Sequence, residues 1–393
     1  MTSMNRYNDI MITPLSSIQG ERYLLTYEGS YYDASLSLVE LIRELQSNQT
    51  EDEAIISYIK KQNGKYSSDQ IRAVIDKYLL PIFEQKKKRS TFLYEKELFS
   101  AKIIDKFSDK FKFLFYPKYM ISILSLAIIL DIYFFTQTEG LLLFNNVGVN
   151  IYMIIGLLIF ILASSFFHEL GHASACKFFN IQHGGIGFGL YLNFPVLYTN
   201  VTEVWKLNRK ERCVVNIAGV YFQSYWIILL LVLFFITKND ILRYLILIMN
   251  FGFIMTLNPF FKFDGYWIAS DILGIPNLRV RSLEFLNYIY RYIRRKEIVC
   301  KPFLLQIKPI ARYAFLIYAV VVNLFMGVYF FYIIPSFFYK LIYTFPEEIN
   351  DLVLYISNDM MPPFVLIRNI GMQMLLSFLI CYFLYKMIKK YVK

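Results

Sequence analysis

Residues 147–172 read VGVNIYMIIGLLIFILASSFFHELGH. From Val147 to Leu170 the run carries no Lys or Arg and is long enough to cross a bilayer as a helix, for which roughly 20 apolar residues suffice. It ends on three ionisable side chains, His168, Glu169 and His172. Other apolar stretches fall near 119–136, 213–237, 241–258, 313–335 and 362–386. The chain therefore reads as mainly α, a polytopic membrane helical bundle of about six spans over residues 119–393. Composition agrees. Of 393 residues 56% are hydrophobic, with 37 Phe and 32 Tyr, which excludes a disordered chain. Despite a net charge of +11 it also argues against a basic nucleic-acid binder, so no nucleic-acid partner is expected. The cysteines Cys176, Cys213, Cys300 and Cys381 lie far apart without a CxxC pair, which indicates neither a disulfide framework nor a Cys-ligated metal.

Charge orients the spans. Residues 86–118 carry ten basic and four acidic side chains, whereas 137–150 hold one Glu and no Lys or Arg. Residues 258–312 are again basic, 337–361 are acidic, and the tail carries Lys386, Lys389, Lys390 and Lys393. Basic segments stay in the cytoplasm, so both termini are expected there, in a protein integral to the cell membrane. The first twenty residues lack a basic start followed by an apolar run, and no signal peptide is expected.

Residues 1–90 predict a small α+β winged-helix-like cytoplasmic domain. Strands are expected at 21–27 and 30–34 around the turn Glu28-Gly29. A helix follows over 35–46, with Leu38, Leu41, Ile42 and Leu45 on one face. Thr50-Glu51-Asp52-Glu53 has the form of a capping box opening a second helix, and a third is expected over 69–80. Residues 91–118, with Phe99, Ile103, Phe107, Phe111 and Phe115, predict an amphipathic juxtamembrane helix lying on anionic lipid at the cytoplasmic face.

The chemistry gathers at His168-Glu169-Leu170-Gly171-His172. Positions i and i+4 share one helix face, so both imidazoles can reach a single ion, with Glu169 beside it to take a proton from bound water. Each ionisable side chain in a span costs about 2.5–3.5 kcal/mol, and a cation explains three in five residues together. Zinc suits two nitrogens, a carboxylate and an open position. A metal-free helix-end cluster is the plainer alternative. His183, the remaining histidine, reads as a loop or surface residue. Asp264 is the better third ligand. Pro259 stops the preceding helix and Gly265 permits a tight turn, presenting Asp264 at the same membrane edge.

HExxH at a span's end with a later Asn-Pro…Asp-Gly motif resembles the site-2 protease family of intramembrane zinc metalloproteases. Residues 258–282, NPFFKFDGYWIASDILGIPNLRVRS, resemble its bacterial peptide zinc metalloprotease branch. The resemblance covers roughly residues 147–285. It implies a zinc cofactor (Zn2+) on His168, His172 and Asp264, Glu169 as general base, and a peptide or membrane-protein substrate. Better-known members place the motif Asn three residues before the Pro, whereas here Asn258 adjoins Pro259 and Thr256 takes the earlier position. The resemblance also implies a β-hairpin or re-entrant element near the site over 183–202, in which an edge strand with Gly187 and Gly189 could align an extended peptide; a plain structural loop is the alternative. Asn216 resembles the family's polar residues facing the site, and with Asn258 is a candidate substrate contact. Asp131 lies mid-span, a functional flag.

The amino-terminal segment resembles a PqqD-like peptide-recognition domain. That implies maturation or export of a ribosomally made peptide such as a bacteriocin or pheromone, with an exporter or membrane-fusion partner. The alternatives are cleavage of a membrane-tethered regulator, or a non-enzymatic transporter or immunity protein on the same fold.

Overall fold

The computed structural model describes residues 5–15, 22–28, 30–84, 94–137, 151–191, 194–275, 277–295, 309–358 and 360–392. After a short helix α1 (Asn5–Asn8), strands β1 (Met11–Leu15), β2 (Arg22–Tyr27) and β3 (Ser30–Ser35) form an antiparallel sheet in that order. Glu28 takes a left-handed conformation at the β2–β3 turn. The sequence did not announce β1, because Pro14 argues against a strand. As an edge strand β1 tolerates the missing N–H.

The helices start where their caps dictate. Ser35 accepts the Leu38 N–H to open α2 (Leu36–Ser47), and Thr50 accepts the Glu53 N–H to open α3 (Glu51–Lys61). A reciprocal box between Ser67 and Gln70 opens α4 (Ser68–Val74). That helix runs on through a π turn at Ile75–Leu79 into α5 (Leu80–Glu84), so Pro81 sits inside it rather than beyond its end. Val39, Ile42 and Leu45 of α2 meet Leu25, Ile55, Ile75 and Leu79 in a core of their own.

The expected helix over 91–118 is divided. Residues Tyr94–Phe99 form strand β4, and α6 (Ala101–Phe111) starts only after Ser100. β4 pairs with β5 (Ile186–Tyr191), which pairs with β6 (Phe194–Thr199), all antiparallel in the order β4-β5-β6. A pairing across ninety residues leaves no local signal, so helical spacing of the phenylalanines misled. The apolar stripe divides too. Ile104 and Phe115 are buried in the body, while Ile103 and Phe107 face outward.

The membrane body comprises α7 (Pro117–Gln137), α8 (Ile151–Phe178), α9 (Arg209–Thr237), α10 (Asp240–Thr256), α11 (Asp264–Leu273), α12 (Leu278–Ile293), α13 (Pro309–Val328), α14 (Ile334–Ser357) and α15 (Phe364–Val392). Among the described residues five helices are long and apolar enough to cross a membrane: Pro117–Gln137, Tyr152–Phe178, Arg209–Thr237, Arg312–Ser357 and Phe364–Tyr382. They correspond to five of the about six spans expected from the sequence, in keeping with a polytopic helical bundle. α10, placed at 241–258 from the sequence, has 17 residues. At 1.5 Å per residue it spans about 25 Å, short of the roughly 30 Å hydrocarbon core.

The expected break after 335 is absent, since a 46-residue helix runs from Arg312 to Ser357 through a π turn at Tyr329–Ile333. The acidic residues after 337 mark where hydropathy falls, and polar residues continue a helix without difficulty. Glu348 there accepts hydrogen bonds from Asn369 (3.3 Å) and Gln373 (3.0 Å) of α15. Asp131 of α7 is likewise engaged between helices, accepting from Asn250 of α10 at 2.9 Å.

Candidate metal centre and active site

Two glycines let α8 and α9 approach closely. A Cβ on Gly171 would stand 2.4 Å from the Ala218 carbonyl, and one on Gly219 would stand 2.3 Å from the His168 ring. The imidazoles are thereby pressed between the helices, each fixed through Nδ1. His172 donates to the Val215 carbonyl at 2.8 Å. His168 Nδ1 meets Gln223 Oε1 at 3.1 Å, and the Gln223 amide is itself oriented by donating to Ser164 at 2.9 Å. With both protons on Nδ1, both Nε2 atoms present lone pairs.

Asp264 arrives from the other side. α10 ends at Thr256, and the Asn258 side chain accepts the Phe260 N–H at 2.8 Å, holding the turn around Pro259. The Lys262 N–H donates to the Tyr191 hydroxyl at 3.0 Å, and the Tyr191 and Phe263 rings meet at 5.4 Å. Gly265 is required for close approach, since a Cβ there would lie 2.0 Å from the Leu257 carbonyl. This short return makes Asp264 the first residue of α11.

Its Oδ2 lies 3.1 Å from His168 Nε2 and 3.2 Å from His172 Nε2, and the two Nε2 atoms are 3.1 Å apart. Three electron-pair donors thus converge on one point, and Asp264 Oδ2 is buried without a hydrogen-bond partner. Such an arrangement repels itself unless a cation occupies its centre. Donors about 2 Å from a tetrahedral zinc stand roughly 3.3 Å apart, so the spacing and the N,N,O donor set fit that ion.

Glu169 is buried beside the pair, offering a carboxylate oxygen within 4.8 Å of the imidazole nitrogens. Its carbonyl accepts from Thr199 Oγ1 of β6 at 3.2 Å, which fastens the sheet to this turn of α8. Asp264 Oδ2 thus lies within 3.2 Å of both imidazoles, and the Glu169 carboxylate lies beside the same centre.

The other candidates lie differently. Gly187 and Gly189 sit on β5, the central strand, which pairs with β4 on one side and β6 on the other, so no peptide can pair with it. Gly187 instead makes room for Tyr198, whose ring a Cβ would meet at 2.7 Å. Asn216 does not face an open site. It is buried and donates to Asp271 at 3.0 Å. The Asn258 carbonyl oxygen serves its own turn. His183 lies on a loop, as expected, but with a buried side chain, Nε2 3.0 Å from Ser108 Oγ and Nδ1 2.8 Å from the Gly184 carbonyl.

Gln223 and the Val215 carbonyl escaped the sequence reading. Gln223 had a signal. It lies seven residues after Asn216 on an otherwise apolar helix, so both polar residues share the face turned to α8 and α11.

A helical membrane protein with an HExxH helix and a remote aspartate closing on it defines a class by its chemistry. The chain is 27% identical over 218 residues, 55% of its own length and 76% of the relative's, to "Putative peptide zinc metalloprotease protein YydH" of Bacillus subtilis (strain 168). This similarity supports a zinc metalloprotease family. No family model matches the chain, and no solved structure does.

Proposed function

We propose that this protein is an intramembrane zinc metalloendopeptidase of the site-2 type, with His168, His172 and Asp264 as ligands and Glu169 as general base. The observation that carries this reading is the convergence of two Nε2 atoms and one orphaned carboxylate oxygen within 3.2 Å, beside a buried glutamate. When bound, zinc supplies a Lewis acid that acidifies water and polarises a carbonyl. Glu169 takes the proton of the attacking water and passes it to the leaving amine nitrogen. Gln223, the Val215 carbonyl and Gly219 hold the imidazoles in the tautomer and orientation this requires.

The substrate we favour is a ribosomally made precursor peptide, matured for export beside an exporter or membrane-fusion partner. The Tyr31 hydroxyl on β3 donates to Glu203 at 2.8 Å, tying the amino-terminal sheet to the turn that follows β6. A peptide captured on that sheet would emerge near β6, whose Thr199 touches the backbone of Glu169. On this reading β6, rather than β5, offers the edge that aligns it. Both termini are cytoplasmic in the cell membrane, with α10 counted as a short crossing and anionic lipid against the basic segments.

Glu169→Gln in reconstituted full-length protein tests the assignment. Peptide cleavage should fall by about 10²–10⁴-fold while bound zinc persists. Unchanged function in Glu169→Gln would instead favour a transporter or immunity protein. Loss of precursor cleavage on deleting residues 1–84, with cleavage of a membrane-tethered regulator retained, would shift the substrate to the regulator.

A further inference from the structure

Helix α9 touches both histidines directly, but the third ligand belongs to α11, which is tied to the centre by more than Asp264 itself. Two turns after Asp264, on nearly the same helix face, lies Asp271. Its Oδ1 accepts from Arg212 Nε and from a terminal guanidinium nitrogen, each at 2.7 Å, and its Oδ2 accepts from Asn216 at 3.0 Å. Both partners are on α9. Less than a tenth of either the Arg212 or the Asp271 side chain is exposed.

The surroundings complete the grip. Arg212 also donates to the Leu207 carbonyl at 3.0 Å and lies over the Trp205 ring, which meets Trp267 of α11 at 6.1 Å. Arg209 donates to the Asp271 carbonyl at 2.7 Å and to that of Ile272 at 2.6 Å, closing the last turn of α11. Residues 215 and 216 divide the work between neighbours. The carbonyl of Val215 holds His172, and the side chain of Asn216 holds α11.

We infer that Arg212, Asn216 and Asp271 are positioning residues that lock α11 onto α9 and so set the affinity and geometry of the metal centre through Asp264. The inference rests on the metal-centre reading above. Asp271 has no chemistry left to offer, because both of its oxygens are occupied by α9. A displacement of α11 along α9 would carry Asp264 out of the 3.1–3.2 Å contacts it makes with the imidazoles. Ligand sets depend on such outer contacts, whose loss typically costs 10–100-fold in metal affinity.

The test uses full-length protein in nanodiscs, stripped of metal and titrated with Co2+ against a competing chelator, reading affinity and the visible ligand-field spectrum. Arg212→Met/Asp271→Leu replaces the buried ion pair by apolar side chains of similar size, so that neither charge is left unpaired. Affinity should drop about 10–100-fold, with a changed spectrum. Asn216→Leu, which leaves the ion pair intact, should weaken binding several-fold. Wild-type affinity and spectrum in a folded double variant would overturn the inference, because a merely structural pair would move only the unfolding midpoint. Should the double variant fail to fold, Asn216→Leu decides, and unchanged binding there overturns it. The underlying reading fails separately. If wild-type protein binds no Co2+, or His172→Ala keeps the wild-type spectrum, the metal centre falls and the positioning role with it.

Discussion

In α2, Arg43 and Ser37 face water while Val39, Ile42 and Leu45 point into the core. In α9, Asn216 is buried and Gln223 turned inward, while Leu229 and Ile236 face out. Both helices bury apolar side chains, but α9 also turns large apolar side chains outward, because their surroundings differ. Water rewards burial of apolar surface in the amino-terminal region. Lipid is as apolar as leucine and gives no such reward, so helices in the membrane body are specified by close contact at small residues and by polar groups that need partners. Gly171 and Gly219 supply the first, and Gln223, Asn216, Asp131 and Glu348 the second. Some of the groups that specify packing in the body, Gly219 and Gln223, also touch His168.

This contrast breaks most visibly if isoleucines in the two regions respond alike. Ile42→Ala removes a fully buried side chain from the amino-terminal core and should cost about 2–5 kcal/mol in thermal or denaturant unfolding. Ile128→Ala, on the outward face of α7, should change stability in nanodiscs by less than about 0.5 kcal/mol. Equal losses would mean that the outward face of α7 is packed against protein.

A smaller effect sharpens the amino-terminal side. Hydrogen bonds from Lys61 (2.6 Å) and Ser57 (2.7 Å) lower the Glu44 pKa despite its burial. Its folded value lies below the unfolded one of about 4.3, so the stabilisation is complete above that pH and disappears as pH falls through the folded value. Glu44→Gln should cost about 1 kcal/mol at neutral pH, with Lys61 largely exposed. The difference from wild type should vanish in acid, as unfolding midpoints against pH would show. A pH-independent difference would assign the effect to packing.

A weaker effect than that of Glu44→Gln belongs to the membrane side. Asn250→Leu deletes the donor to Asp131 and should cost about 0.6 kcal/mol, the average for interhelical hydrogen bonds in a membrane. A loss several times larger would show that Asp131 carries a charge that Asn250 must solvate.

Legibility followed the same division. Thr50, Ser35 and the α2 stripe are local signals, and the amino-terminal helices begin where they indicate. β4 lay hidden because its partner β5 is ninety residues distant, and helical spacing of Phe99, Ile103 and Phe107 mimicked one continuous helix. Gly187 and Gly189 were readable as strand residues near the site, but a central strand cannot be told from an edge strand without its neighbours. Asn216 was legible as a polar residue in an apolar helix, though its partner Asp271 was not.

The amino-acid order alone determined the helical membrane character, several of the caps, and the placement of His168 and His172 on one face with Glu169 adjoining, since a helix's period turns spacing into direction. It also singled out Asp264 as a remote partner. Only the tertiary structure decided that Asp264 Oδ2 closes to within 3.2 Å of both imidazoles, that Gln223 and Val215 set their tautomers, and that β5 has no free edge. Those facts depend on helices and strands far apart in the chain meeting at ångström tolerance. That precision comes from packing around Gly171, Gly219 and Gly265, which no local pattern encodes.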